Sequence, residues 1–170
     1  MERLQKTSRR LQEFVLIIMV LLPAATMLTV VLGEWGELLN LSQDIPIDTS
    51  NIRGVSLLVV IVIGLIKPIA TIIAFGFLYK LLSLYRQGIV FMMDNVTAIR
   101  NIGWALMGVD IASMFQTLIT GPVLTIFKIT PGHIIVRIEV GFLVVGLFIV
   151  LVSYVMDIGR ELKERDDLVI

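Results

Sequence analysis

The sequence predicts an all-α integral membrane protein, a four-transmembrane-helix antiparallel bundle with N and C termini cytoplasmic. Three observations carry that prediction. Of 170 residues, 57% are apolar and only 16% charged, with a mean hydropathy of +0.95, whereas soluble domains hold about 45–50% and about 25%. Four stretches approach the about 20 apolar residues that cross a bilayer at about 1.5 Å each. Basic residues gather on one side of the resulting layout.

The first span, residues 14–33, carries no charge, holds Pro23 and follows the basic lead RLQKTSRRLQ. Its apolar run exceeds the about 7–15 residues of a signal-peptide core and no small-x-small site follows, so it reads as an uncleaved anchor. The second, residues 55–80, is interrupted by Lys67 and Pro68. Either half alone is about 18 Å of helix, too short to cross. A re-entrant hairpin would place Lys80, Arg86 and Arg100 outside and weaken the charge bias, so the continuous span is preferred. The third span, residues 102–121, contains Asp110 and Gln116; the fourth, residues 138–157, starts at the turn holding Arg137 and Glu139.

An outer loop (34–54), an inner loop (81–101) and a tail (158–170) complete one expected domain over 1–170. In this layout Arg3, Lys6, Arg9, Arg10, Lys80, Arg86, Arg100, Arg160, Lys163 and Arg165 face inward, while Arg53, Lys128 and Arg137 face outward. That asymmetry is the positive-inside pattern. The outer loop, with Pro46 and several turn formers, is expected along the outer surface. Trp35 and Trp104 stand where interfacial aromatics belong.

Composition also excludes functions. Fourteen basic and fourteen acidic residues give no net charge, so no direct nucleic-acid binding is expected. Without cysteine there is no disulfide, thiolate metal site or thiol nucleophile. His133 is a lone histidine, insufficient for paired haem ligation, and reads as a solvated loop residue. Phosphate-loop, HExxH and GxSxG patterns are absent. The chain is therefore read as a non-enzyme, with no catalytic, cofactor-binding or metal-ligating residue. The lipid bilayer is its expected surrounding. Gly141 and Gly146 lack the four-residue dimer spacing, so a homo-oligomer is neither required nor forbidden.

Lys67 and Asp110 are the most informative positions, because either charge costs about 2.5–3.5 kcal/mol at a helix centre without a partner or water. Lys67 lies roughly 20 Å from Lys80, and Asp110 roughly 15 Å from Arg100. A lysine stem covers such a difference, so the two are expected to pair, structurally or for transport. Helical spacing sets Gly64, Thr71 and Ala74 beside Lys67, and Gly103, Ser113, Thr117 and Thr120 beside Asp110. Span four offers Gly146 and Ser153, and span one Thr26 and Thr29, as small or hydroxyl-bearing contacts of the kind that membrane helices bring together. Arg53, Arg137 and Glu139 are read as outer-interface charges, with an interfacial salt bridge for Glu139.

Two stretches on the inward side resemble a known family. In residues 84–104 the matching positions are Gly88, Phe91, Asn95, Arg100 and Gly103; in residues 159–170 they are Gly159, Leu162, Glu164, Asp167, Leu168 and Ile170. With four spans, the chain is similar to the bacterial domain-of-unknown-function 2975 membrane family, departing at Val169, where the family usually has threonine. The resemblance implies a multi-pass protein of the bacterial cytoplasmic membrane with no assigned reaction. It also implies a small helix-turn-helix regulator as partner. Asp94 or Asn95 is expected to cap the following helix, and the acidic tail to compete with phosphate for a basic face. The plainer reading of Arg86 and Arg100 is contact with anionic lipid heads. The expected function is thus a membrane regulator or scaffold; the alternative is a small-solute or ion transporter using Lys67 and Asp110.

Overall fold

The computed structural model describes residues 2–41, 45–88, 92–131 and 138–166, with side chains from 5 to 162 within these ranges. Its elements are α1 (Glu2–Leu32), α2 (Trp35–Leu38), a 3-10 turn (Thr49–Asn51), α3 (Val55–Gly64), α4 (Ile66–Arg86), α5 (Met93–Ile126) and α6 (Gly141–Asp166). Among the described residues there is no strand. Four segments are long and apolar enough to cross a membrane: Gln5–Leu32, Val55–Arg86, Met93–Ile126 and Gly141–Leu162. Only helices satisfy every backbone group within such a segment, which is why apolar runs of this length take that form.

Helices extend beyond the apolar stretches. With 34 residues, α5 is about 51 Å long against a hydrocarbon core of about 30 Å. Its N-terminal turns lie beside the end of α6, as the start of α1 lies beside the end of α4.

Each long helix packs chiefly on its neighbour in sequence: α1 on α4, α4 on α5, α5 on α6. Neighbours run antiparallel, since Arg86 near the end of α4 donates to Gln12 near the start of α1 at 3.3 Å. Arg100, early in α5, likewise meets Asp157, late in α6. The long helices thus contact one another in chain order, with α5 the most enclosed of them.

The second span is continuous. Leu65 separates α3 from α4 but keeps a right-handed helical conformation and donates to Ile61, so the chain does not turn back. Pro68 explains the local break, because it has no N–H to offer Gly64.

The outer loop is not a strand of chain laid on the surface. It folds into a cap in which Leu38, Leu39, Leu41 and Ile52 form a core with Val60 and Ile63 of α3, Leu124 of α5 and Ile129. Trp35 packs against this core. The Asp48 N–H donates to Ile129 O at 2.8 Å, and Asn51 Nδ2 to Lys128 O at 2.9 Å, tying the cap to the end of α5. Trp104 is 59% exposed.

Candidate functional site: a polar cleft beneath the cap

In a lipid surrounding, apolar contact alone gives no preference for one helix over the lipid tails. Close approach and polar pairing therefore decide what meets, and α5 supplies both. Its stripe of Asp110, Ser113, Gln116, Thr117 and Thr120 is almost wholly buried. Thr117 and Thr120 donate to the carbonyls of Ser113 and Gln116, removing unsatisfied hydroxyls from the interior. Gly103 and Gly146 mark where α5 and α6 cross: a Cβ at Gly103 would lie 2.7 Å from Gly146 O.

The structure corrects the expected Lys67–Asp110 pair. Asp110 Oδ2 instead accepts the Leu143 N–H at 2.8 Å, satisfying one of the free donors in the first turn of α6, where a negative charge also suits the helix dipole. Lys67 Nζ reaches Glu139 Oε2 at 2.7 Å. Depths counted from Lys80 and Arg100 treat those two residues as level, but the Lys67 N–H meets Gln116, six residues and about 9 Å beyond Asp110 along α5. Glu139 is therefore bound to the intramembrane lysine, not to an interfacial cation; Arg53 is exposed, and Arg137 lies outside the described residues.

Glu139 collects three side chains. Besides Lys67, Asn40 Nδ2 donates at 3.2 Å and Ser113 Oγ at 3.3 Å. Asn40 is aimed there by the end of α2, where it adopts φ 55°, a left-handed conformation that asparagine tolerates better than most residues. Glu139 precedes the fourth apolar segment by two residues. The hydrogen bond from the Lys67 ammonium holds its carboxyl below the ordinary carboxylate value, against a smaller upward push from desolvation.

Gln116 joins the same network. Its Oε1 accepts the Lys67 N–H at 3.2 Å beside the α3–α4 break, and its Nε2 donates to Leu38 O in the cap at 3.2 Å. Leu38 lies directly on Gly64, where a Cβ would overlap its side chain. The place of Gln116 within an apolar span signals a need for partners, but Asn40 offers no such sign in the sequence.

These groups border a cleft of about 330 Å³. Leu22, Ala25, Thr26 and Thr29 of α1 form one wall; Lys67, Pro68 and Thr71 of α4 form the other. Glu37 and Asn40 cover it and Gln116 lies at its base. The wedge shape has a simple origin. In α1, Ser8, Gln12 and Val15 are buried, whereas no residue from 16 to 32 is.

The family-like positions among the described residues lie away from the cap. Gly88 ends α4 at φ 78°, in the left-handed region, where Gly88 N–H closes on Tyr85 O; glycine takes that conformation without steric cost. Asn95 is fully buried in the first turn of α5. The residue at the start of that helix is Met92, with no side-chain cap, so neither Asp94 nor Asn95 caps it. Arg100 donates to Asp157 at 3.0 Å and to Ser153 at 3.4 Å, and its guanidinium sits 4.4 Å from the Tyr154 ring centroid. Arg100 thus braces α5 to α6 and Arg86 braces α4 to α1. Gly159 and Leu162 are exposed. Phe91, His133, Asp167, Leu168 and Ile170 lie outside the described residues, as does the side chain of Glu164.

A row of apolar helices with a charged, hydrogen-bonded cluster at one end defines a multi-span membrane-type protein. Residues 8–170 match the family described as Protein of unknown function (DUF2975), and the chain belongs to that family. Neither the curated proteins nor the solved structures include a significant match.

Proposed function

We propose that this chain is a non-enzymatic protein of the bacterial cytoplasmic membrane that holds a small cytoplasmic protein at its termini end. The observation carrying this reading is the last part of α6. Ile158 and Leu162, four residues apart and so on one helix face, close the fourth apolar segment at 59% and 58% exposure, and Arg100 braces the same helix through Asp157. A rigid helix presenting apolar anchors beside charge is a common docking element. The positive-inside bias supports a cytoplasmic position for that end, and the family resemblance suggests a small helix-turn-helix regulator as the partner.

Removal of residues 161–170 tests this. Co-purification of a regulator encoded beside the gene is expected to be lost while the four spans still insert; an unchanged pull-down would count against the reading. The Lys67–Glu139 pair beside the cleft favours a second reading, small-solute or ion transport. It predicts that Lys67→Met abolishes flux in proteoliposomes that hold folded protein, and equal flux would remove it.

A further inference from the structure

We propose that the wedge between α1 and α4 binds an amphiphile through a primary-ammonium head. What a ligand must bring is set by the hydrogen-bonding groups that the cleft leaves uncommitted. Thr26, Thr29 and Thr71 each donate their hydroxyl proton to a backbone carbonyl of their own helix, at 2.8–2.9 Å. Their oxygens remain acceptors only. Both ends of the Gln116 amide are engaged, and the Lys67 ammonium is neutralised by Glu139. Glu37 at the rim is exposed, and its carboxylate makes no hydrogen bond or ion pair among the described residues.

Lys67 set against Glu37 and Glu139 leaves one negative charge over. A ligand entering this acceptor-rich cleft must therefore bring hydrogen-bond donors and positive charge, which an ammonium supplies and a phosphate or carboxylate alone does not. The walls select the rest of the molecule. Leu22, Ala25 and Pro68 are apolar, and no α1 residue from 16 to 32 is buried, so the cleft adjoins lipid. A volume of about 330 Å³ equals roughly eleven water volumes. That holds a head group and the first methylenes, with the chains left in the bilayer. An aminophospholipid and a free alkylamine share this chemistry.

The experiment is native mass spectrometry of the full chain released from maltoside micelles containing equal amounts of phosphatidylethanolamine, phosphatidylcholine and phosphatidylglycerol with matched chains. Phosphatidylethanolamine is expected to be retained preferentially, because phosphatidylcholine has no N–H donor and phosphatidylglycerol no cation. Glu37→Gln is expected to reduce that retention by about tenfold, the value of one charge-assisted hydrogen bond, without altering the phosphatidylglycerol signal. Thr26→Val removes one acceptor and gives a smaller loss, a second test should Glu37→Gln yield no protein. Ethylammonium added in excess separates the sources: displacement assigns binding to the free head, persistence to the lipid, and either keeps the ammonium site. Equal retention of the three lipids would overturn the proposal, as would a Glu37→Gln protein that binds phosphatidylethanolamine as the parent does.

Discussion

The seam between α5 and α6 and the seam between α1 and α4 join helices of similar length and opposite quality. The first has a glycine on each helix at the crossing, an aspartate bonded to the facing backbone and an arginine bonded to the facing carboxylate. The second has a polar contact near the start of α1, Arg86 to Gln12, and farther along borders a cleft. In lipid, leucine and valine side chains do not prefer each other to acyl chains. A helix rich in them, as α1 is, stays beside its neighbour only where a specific contact holds it. Close packing and an open site thus follow from one rule applied to two sequences.

The sharpest way to break the contrast is steric. Gly103→Leu must push Gly146 and Val150 aside, whose backbone atoms lie within 3.0 Å of the new Cβ. A loss of about 3 kcal/mol or more is expected, the upper end for overpacking, read as a lowered thermal midpoint in maltoside. Gly76→Leu in α4, where a Cβ meets nothing within 4 Å, is expected to leave the midpoint nearly unchanged. Equal effects would show that the glycine crossing does not hold the seam.

Asp110→Ala comes next. It leaves the Leu143 N–H without its acceptor, and a loss of about 1–2 kcal/mol is expected, as for a helix cap. Asp110→Asn keeps an acceptor oxygen and is expected to cost less. The order of the two unfolding midpoints checks the assignment.

Smaller still is the coupling between Lys67 and Glu139, a partly exposed pair worth about 1 kcal/mol. A double-mutant cycle with Lys67→Met and Glu139→Gln is expected to return that energy, and a cycle of Lys67→Met with Asp110→Asn much less. Stronger coupling in the second cycle would restore the pairing of Lys67 with Asp110.

The slightest effect is that of pH. A carboxyl held below its ordinary 4.5 in the fold contributes stability that is fully present above that value and is lost as pH falls through the depressed one. The gap in midpoint between the parent chain and Glu139→Gln is therefore expected to be constant from pH 7 to about 5 and to narrow below. A gap that widens on acidification would reverse the sign of the assignment.

Much of the interior is legible in the sequence, and the particular residues show why. Gly103, Asp110, Ser113, Thr117 and Thr120 fall on one stripe by helical spacing, and all are buried. Periodicity reports which face is polar, and in a span the polar face turns inward. The partner of Lys67 is not legible, because a stripe names a face but not the neighbour it meets, and an error of less than two helical turns in depth changes the neighbour. Asn40 is invisible for a different reason. It sits in a loop of ordinary composition, and only the left-handed turn after α2 brings it to Glu139. The outer loop hides a core because its leucines follow no long period.

Chain composition and spacing alone are enough to establish four long apolar helical segments and the inward face of α5, since the bilayer demands internally bonded segments of a set length whatever the other details. The identity of each pair across those faces, the cap over the cleft and the opening between α1 and α4 depend on relative register between segments far apart in the chain. Differences of a few ångströms decide that register, and only the packed structure resolves them.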